Sequence, residues 1–284
     1  MQKKIFISFG VIAFISIYGT VLFSDTTHIR IYEKSGSLKL TFIANEGVMV
    51  ESPHKKVLID ALFDNPNPAY LAPPTDILEK MYAGQSPFDN IDLVLVTHNH
   101  PDHMSVISVM QFMKNNSKAK LILPKDAVIE MKTAGSHWEK IKDRVIAVET
   151  EVNTSLTMEE SGISVKAFRT LHSGDRESPW NLMYFLNMED WTVFHEGDFD
   201  GKQETFTQLG LENTEVDLAL VHFWFPLHPV GSKLIQEVLK PKHIGLIHLP
   251  LRLYEDAPGK IDMVKQYYPD LFLLKESMEQ KIFH

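Results

Sequence analysis

Four side chains that can bind a metal ion lie within six residues, in the segment Thr97-His98-Asn99-His100-Pro101-Asp102-His103. The apolar run Ile91–Val96 before this segment is typical of a buried strand, and the run Met104–Met113 after it has the spacing of an amphipathic helix. His98 and His100 are two residues apart, so an extended backbone would point both imidazoles to one side. A turn directly after a strand can hold such groups rigidly, as a preorganised metal site requires. The alternative is a polar loop whose histidines cap the next helix, which this ordered spacing disfavours.

The segment resembles the His-x-His-x-Asp-His signature of the metallo-β-lactamase superfamily, where it holds a two-metal hydrolytic centre. The resemblance extends over about residues 38–274 and implies three further ligands, each just after an apolar strand. These are His172, Asp198 in Glu196-Gly197-Asp198, and His248 in Leu246-Ile247-His248. The implied metal ligands are therefore His98, His100, Asp102, His103, His172, Asp198 and His248.

Imidazoles and carboxylates in this set suit two divalent ions, with Zn²⁺ expected and Mn²⁺ or Fe²⁺ as alternatives. A water between two such ions becomes a hydroxide near neutral pH and attacks a carbonyl or a phosphorus. Asp102 would orient this hydroxide as well as bind metal. We therefore expect a hydrolase of a small ester, lactone or phosphodiester, resembling the branch with ascorbate-phosphate lactonase and N-acyl-phosphatidylethanolamine phospholipase. The alternatives are a membrane-facing lipid phosphodiesterase and a non-catalytic metal-binding or sensor protein.

Other polar residues near the predicted strand ends are weaker candidates. Asp60 ends the strand Val57–Asp60, where a carboxylate either orients the metal loop or caps a turn. His228, in an aromatic loop after a strand, is the candidate catalytic residue beside Asp102. The remaining candidate proton donors or substrate contacts are His195, His222 and Tyr184, and the candidate anion-binding residues are Arg169, Arg176 and Arg252.

The composition limits the class of protein. The chain has 284 residues and a formal net charge of -9, which argues against a nucleic-acid surface, since that would need a basic stripe. There is no cysteine, so disulfides and thiolate ligands are excluded. Zinc-dependent lactam-cleaving members of the superfamily usually carry a cysteine ligand, so antibiotic hydrolysis is not expected. The expected partner is a small-molecule or lipid substrate.

The N-terminus carries the pattern of an export signal. Two lysines precede the uncharged apolar run Ile5–Phe23, which is typical of a signal peptide or of a membrane anchor. We therefore expect a signal or anchor over residues 1–24, a connector over 25–37 and a hydrolase domain over 38–284. The expected location is the periplasm or the outer face of the cytoplasmic membrane, with membrane association through residues 5–23.

The pattern of predicted elements indicates the fold class. Short strands and amphipathic helices alternate in each of two successive halves of the chain, with hairpins expected around Glu159–Gly162 and Met188–Asp190. This order fits an α/β fold, an αββα sandwich of two mixed β-sheets flanked by helices. The loop Asp64–Pro74, rich in proline and asparagine, would form a wall of the pocket.

Overall fold

The computed structural model describes residues 34–64, 67–134, 137–174, 176–208, 210–211 and 215–284. The predicted signal peptide or anchor over residues 1–24 lies outside these residues. Within the described ranges, no helix combines the length and the apolar character needed to cross a membrane.

The first sheet is built mostly from the N-terminal half of the chain. Its strands, numbered in chain order, are β1 (Leu38–Ala44), β2 (Gly47–Ser52), β3 (Lys55–Ile59), β4 (Leu93–Leu95), β5 (Lys120–Pro124), β6 (Val145–Val148) and the C-terminal β14 (Gln280–Phe283). They are arranged in the order β14-β1-β2-β3-β4-β5-β6. Strands β3 to β6 are parallel and the others antiparallel, so the sheet is mixed.

The second sheet comes from the C-terminal half. Its strands are β7 (Thr154–Glu160), β8 (Ile163–His172), β9 (Arg176–Met188), β10 (Trp191–His195), β11 (Leu218–His222), β12 (His243–Ile247) and β13 (Leu271–Leu273). Their order is β13-β12-β11-β10-β9-β8-β7. Strands β10 to β13 are parallel, whereas β7-β8-β9-β10 is an antiparallel meander that contains both expected hairpins.

Helices flank this pair of sheets. Their bounds are α1 (Thr75–Ala83), α2 (Val106–Asn115), α3 (Lys125–Ala134), α4 (Trp138–Ile141), α5 (Gln203–Gln208), α6 (Pro229–Leu234) and α7 (Ala257–Val264). Helix α2 begins after Ser105, whose side chain accepts a hydrogen bond from the Ser108 backbone N–H. One apolar cluster lies between the sheets and joins residues such as Val48 and Leu220. A second packs α1 to α4 on the first sheet, and a third packs α6 and α7 on the second. The predicted αββα sandwich is therefore confirmed.

The sheet topology brings several loops to one edge. Strands β10, β11 and β12 are parallel neighbours, so the segments after them emerge at the same end of the second sheet. Strands β3 and β4 are likewise parallel neighbours in the first sheet. A hydrogen bond from the Leu182 backbone N–H to the Thr97 carbonyl, 2.9 Å long, joins the two sheets at this edge.

Three elements differ from the sequence-based expectation. The sequence pattern predicts a helix over Lys233–Leu239, whereas in the structure the helix begins earlier, at Pro229, and its last turn, Ile235–Leu239, is a π-helix. The sequence pattern predicts a helix from about Ala257 to Tyr268, whereas α7 ends at Val264 and Tyr268 is buried beyond a turn at residues 265–267. Strand β14 was not expected, because its mixed residues lack a clear alternation and it pairs only with β1.

Candidate metal centre

Three imidazoles, two from the loop after β4 and one from the end of β8, face one another at the sheet edge. Nδ1 of His100 lies 3.0 Å from Nε2 of His98 and 3.2 Å from Nε2 of His172. Oδ2 of Asp198 lies 3.1 Å from Nε2 of His172 and 3.8 Å from Nε2 of His98. The four ligand atoms lie within 4.8 Å of one another. We call these residues the first group.

Neighbouring side chains fix the orientation of His98. The Thr97 hydroxyl donates to Oδ2 of Asp60, and the Thr97 backbone N–H donates to Oδ1 at 2.8 Å. Because that hydroxyl proton is used, Nδ1–H of His98, 3.0 Å away, donates to the Thr97 oxygen. The lone pair on Nε2 of His98 therefore points into the first group, as metal binding requires.

A second group surrounds the other oxygen of Asp198. Nε2 of His103 and Nε2 of His248 each lie 3.5 Å from Oδ1 of Asp198. Glu46 belongs to this group, whose ligand atoms also lie within 4.8 Å of one another. Asp198 thus presents Oδ2 to the first group and Oδ1 to the second, the arrangement of a carboxylate shared by two cations.

The position of Asp198 depends on a tight turn after β10. Gly197 adopts a left-handed backbone with φ of 55°, and a Cβ there would lie 2.7 Å from Oδ1 of Asn181. That same Asn181 oxygen accepts a hydrogen bond of 2.9 Å from the Asp198 backbone N–H. The Gly-Asp sequence therefore reflects a close backbone approach that only glycine permits.

His103 is held from behind by a carboxylate. Its Nδ1 lies 2.9 Å from Oδ2 of Asp60, and both side chains are completely buried. Burial alone would lower the pKa of His103, but the carboxylates of Asp198, Glu46 and Asp60 raise it to about 10. Asp60 therefore orients a ring of the centre rather than merely capping a turn.

The residues of both groups fit divalent cations. Burial lowers the pKa of His98 and His248 well below the usual value and that of His100 to about 4, so these rings are neutral at pH 7, the form that binds a metal ion. Nε2 of His103 and Nε2 of His248 are buried without a hydrogen-bond partner. Buried polar atoms of this kind are costly unless a ligand satisfies them. Nitrogen and carboxylate donors suit zinc, iron or manganese.

The structure brings six of the seven predicted ligands into the two groups, and Asp102 lies beside them. Oδ2 of Asp102 is 3.9 Å from Nε2 of His248, and its backbone carbonyl accepts a hydrogen bond from the Asn45 side chain at 3.1 Å. His228, the other predicted catalytic residue, is exposed and contacts the edge of Trp224, with ring centroids 5.9 Å apart. The catalytic roles of Asp102 and His228 remain predictions.

Two buried glutamates at the centre were not recognised from the sequence. Glu46 lies in the turn between β1 and β2 and Glu196 follows β10, and both are 0% exposed. Nδ1 of His222 lies 2.6 Å from Oε1 of Glu196, and its Nε2 lies 3.2 Å from Oε1 of Glu46. The sequence feature that could have identified Glu46 is its charge, because it lies inside the short and mostly apolar hairpin Leu38–Ser52.

Two weaker candidates have structural roles. Tyr184 is buried and donates a hydrogen bond of 2.8 Å to the Val96 carbonyl. His195 is also buried: its Nδ1 accepts from the Gly197 backbone N–H, and its Nε2–H donates to the Glu46 carbonyl, each at 3.2 Å. His195 therefore braces the turn that carries Glu46, and burial lowers its pKa to about 4.

The loop expected as a pocket wall does reach the centre. The ring of half-buried Tyr70 lies 4.3 Å from that of His248. Burial and the charges of Asp198 and Asp102 raise the pKa of Tyr70 to about 12, so its hydroxyl stays protonated at neutral pH. Exposed Arg176 lies on the other side, where its Nε donates to the Ser173 carbonyl at 3.0 Å.

Comparisons with known proteins find a matching family model and several relatives. A family model described as "Beta-lactamase superfamily domain" matches residues 55–261. A UPF0173 metal-dependent hydrolase of Saccharolobus solfataricus is 27% identical over 208 residues, which cover 72% of this chain and 80% of the relative. A UPF0173 metal-dependent hydrolase of Pyrococcus furiosus is 26% identical over 217 residues, covering 74% of this chain and 84% of the relative.

Solved structures share the fold at low sequence identity. The metallo hydrolase Igni18 from Ignicoccus hospitalis superposes with a TM-score of 0.60 at 16% identity, covering 87% of this chain and 99% of that one. The metallo-beta-lactamase fold protein YhfI from Bacillus subtilis has a TM-score of 0.59 at 18% identity, covering 88% and 100%.

These relatives also correct one expectation. The sequence predicted a signal peptide, membrane attachment and a periplasmic location from the apolar run Ile5–Phe23. The run lies outside the described residues, and the correction rests on the relatives, which are described only as metal-dependent hydrolases or metallo hydrolases. An apolar run alone does not establish an export signal. We therefore withdraw the predicted signal peptide, membrane attachment and periplasmic location.

Proposed function

Because this chain is a metal-dependent hydrolase that belongs to the metallo-β-lactamase superfamily, we propose that it uses two divalent cations to cleave a small ester, lactone or phosphodiester. One observation carries the proposal: the two oxygens of Asp198 face two separate imidazole groups, Oδ2 towards His172 and Oδ1 towards His248. A protein with a single cation would not need ligands on both sides of that carboxylate.

When bound, the two cations would supply a water of lowered pKa and positive charge for the oxygen that becomes negative. The chain's own residues determine where the cations would be held. The imidazoles would hold each cation without cancelling its charge, and Asp198 would lower the repulsion between the two. Asp60 and Thr97 keep the rings of His103 and His98 from turning, so the site needs little rearrangement during the reaction.

We assign Asp102 to orienting the attacking water and to accepting its proton. Its carboxylate lies beside the second group, 3.9 Å from Nε2 of His248. Asp102 as a whole is buried, with 6% of its surface exposed. Asn45 holds the Asp102 loop through the backbone carbonyl. A carboxylate next to the ligands can therefore take a proton from a water on the open side of the centre.

The substrate side of the centre combines apolar and cationic groups. Tyr70 and Trp224 offer aromatic surface next to His248 and His222. A guanidinium nitrogen of Arg176 lies 2.7 Å from Nδ1 of His172, and the charge of Arg252 acts on the Tyr70 hydroxyl. These cations favour a substrate with a negative charge, and among the three classes they favour the phosphodiester.

The test is hydrolysis by metal-free and metal-loaded protein. Chelator-treated protein is loaded with Zn²⁺, Mn²⁺ or Fe²⁺ and assayed on an aryl phosphodiester, an aryl ester, a thioester and a set of lactones. We expect turnover only with metal, and loss of that turnover in Asp198→Asn. Asp76→Asn, which changes an exposed carboxylate paired with Lys80, serves as the matched control.

The outcomes separate the alternatives. Turnover that resists exhaustive chelation would overturn the metal-dependent mechanism. Tight binding of two cations without turnover of any substrate class would favour the non-catalytic metal-binding or sensor protein. Turnover of esters or lactones but not of the phosphodiester would keep the mechanism and remove the preference for an anionic substrate.

A further inference from the structure

His222 has the environment of a metal ligand, although the sequence indicated it only as a candidate proton donor or substrate contact. It is the last residue of β11, between the strands that precede Asp198 and His248, and it is 4% exposed. Its Nε2 lies 3.2 Å from Oδ1 of Asp198, closer than the corresponding atoms of His103 and His248 at 3.5 Å. Three imidazole Nε2 atoms therefore converge on one carboxylate oxygen.

The contacts of His222 repeat those of His103. Nδ1 of His103 lies 2.9 Å from the buried carboxylate of Asp60, and Nδ1 of His222 lies 2.6 Å from that of Glu196. Glu196 also accepts a hydrogen bond from the His222 backbone N–H. A carboxylate on Nδ1 fixes the tautomer in which Nε2 carries the lone pair, and this arrangement is common for histidines that bind metals.

The buried carboxyl group of Glu46, beside His222, lacks a hydrogen-bond partner. Both of its carboxylate oxygens are buried without a hydrogen bond of acceptable geometry. Oε1 lies 3.2 Å from Nε2 of His222, and Oε2 lies 3.6 Å from Nδ1 of His103. A buried carboxylate in this state is costly unless positive charge is placed near it.

We propose that His222 is a further metal-binding residue that completes the second position with His103, His248 and Asp198, and that Glu196 positions its ring. The inference rests on the proposed two-cation centre and specifies its ligands. With a cation bound, Glu46 would supply additional negative charge at this position. The second position then has three imidazoles, so it matches the first position, where His98, His100 and His172 share Asp198.

A competing role for His222 is that of a protonated counter-charge. Burial alone would lower its pKa, but Glu46, Asp198 and Glu196 hold the pKa of His222 well above its usual value in the metal-free protein. In that role the imidazolium would repel a cation. Removing it would then leave the affinity for metal unchanged or increase it.

Metal binding by His222→Gln distinguishes these roles without any assay of activity. Chelator-treated wild type, His222→Gln and the control His54→Gln are titrated with Co²⁺, followed by calorimetry and visible absorption. His54 is an exposed histidine paired with Glu189. We expect about two ions per wild-type chain, and loss or at least roughly tenfold weakening of one of them in His222→Gln only.

Two further measurements keep the result interpretable if His222→Gln folds poorly. In Co²⁺-loaded wild type, we expect a paramagnetically shifted imidazole N–H signal that selective labelling assigns to His222. Glu196→Gln should retain both ions at saturating Co²⁺ but bind one of them about 10–100-fold more weakly. Two ions with unchanged affinities and spectrum in His222→Gln would overturn this inference alone. Absence of metal binding by wild type would overturn the proposed function as well.

Discussion

Nδ1 of His103 lies 2.9 Å from Oδ2 of Asp60, and neither side chain is exposed to solvent. Asp60 follows β3, whereas His103 belongs to the loop after the neighbouring parallel strand β4. The same carboxylate binds the backbone N–H and the hydroxyl of Thr97. One buried carboxylate therefore orients the loop that carries four of the predicted ligands.

Substituting Asp60→Asn should weaken metal binding without removing a ligand. The amide would no longer fix the tautomer of His103, so we expect about a 10–100-fold loss of affinity for the cation at the second group. Calorimetric titration of metal-free protein with Zn²⁺ measures this, with Asp76→Asn as the control for a lost exposed carboxylate. An unchanged affinity would show that His103 does not depend on Asp60.

Asp198→Asn should affect both groups, whereas single histidine substitutions should affect one. An amide has only one acceptor oxygen, so we expect metal content well below one ion per chain after gel filtration. His100→Gln and His248→Gln should each keep about one ion, because each removes a ligand from a different group. Elemental analysis checks this, with the exposed Asp143→Asn as control. Retention of two ions by Asp198→Asn would contradict the shared carboxylate.

Gly197→Ala should destabilise the protein and displace Asp198. A Cβ would lie 2.7 Å from the Asn181 side-chain oxygen and 3.0 Å from the Leu182 carbonyl. The left-handed backbone alone costs about 1–2 kcal/mol for a residue with a Cβ, and the contacts add to this. Denaturant unfolding measures the loss. Gly259→Ala, where a Cβ in helix α7 meets nothing within 4 Å, should be neutral or stabilising.

The stability of metal-free protein should fall as the pH is lowered from about 6.5 to about 4. Burial lowers the pKa of His195 to about 4, whereas the unfolded chain binds this proton near pH 6.5. Between these values the unfolded state binds more protons, so the free energy of unfolding decreases with falling pH. His195→Gln should remove about one proton from the difference in proton binding between the unfolded and folded states. The slope should therefore fall by about 1.4 kcal/mol per pH unit. Parallel wild-type and variant curves, measured by urea unfolding, would contradict a neutral His195.

The sequence indicated the fold because its elements depend on local pattern. The apolar run before His98 became strand β4, and the alternation of Ile163, Val165 and Ala167 places these side chains between the sheets. The family resemblance then implied ligands at the end of strand β8 and after strands β10 and β12. The export signal predicted from the apolar N-terminal run was withdrawn, because that pattern is a local one and the relatives are described only as metal-dependent hydrolases.

What the sequence determined by itself was therefore the set of strands, the residues at their ends and the chemistry those residues can perform. Only the tertiary structure decided which of them meet. Glu46 is separated from His222 by most of the chain and belongs to the other sheet, so no spacing could have joined them. The contact exists because two sheets pack face to face and bring the β1–β2 turn against the end of β11. Burial then makes an ordinary glutamate and an ordinary histidine depend on a compensating charge or hydrogen bond. The identity of either residue alone does not predict that change.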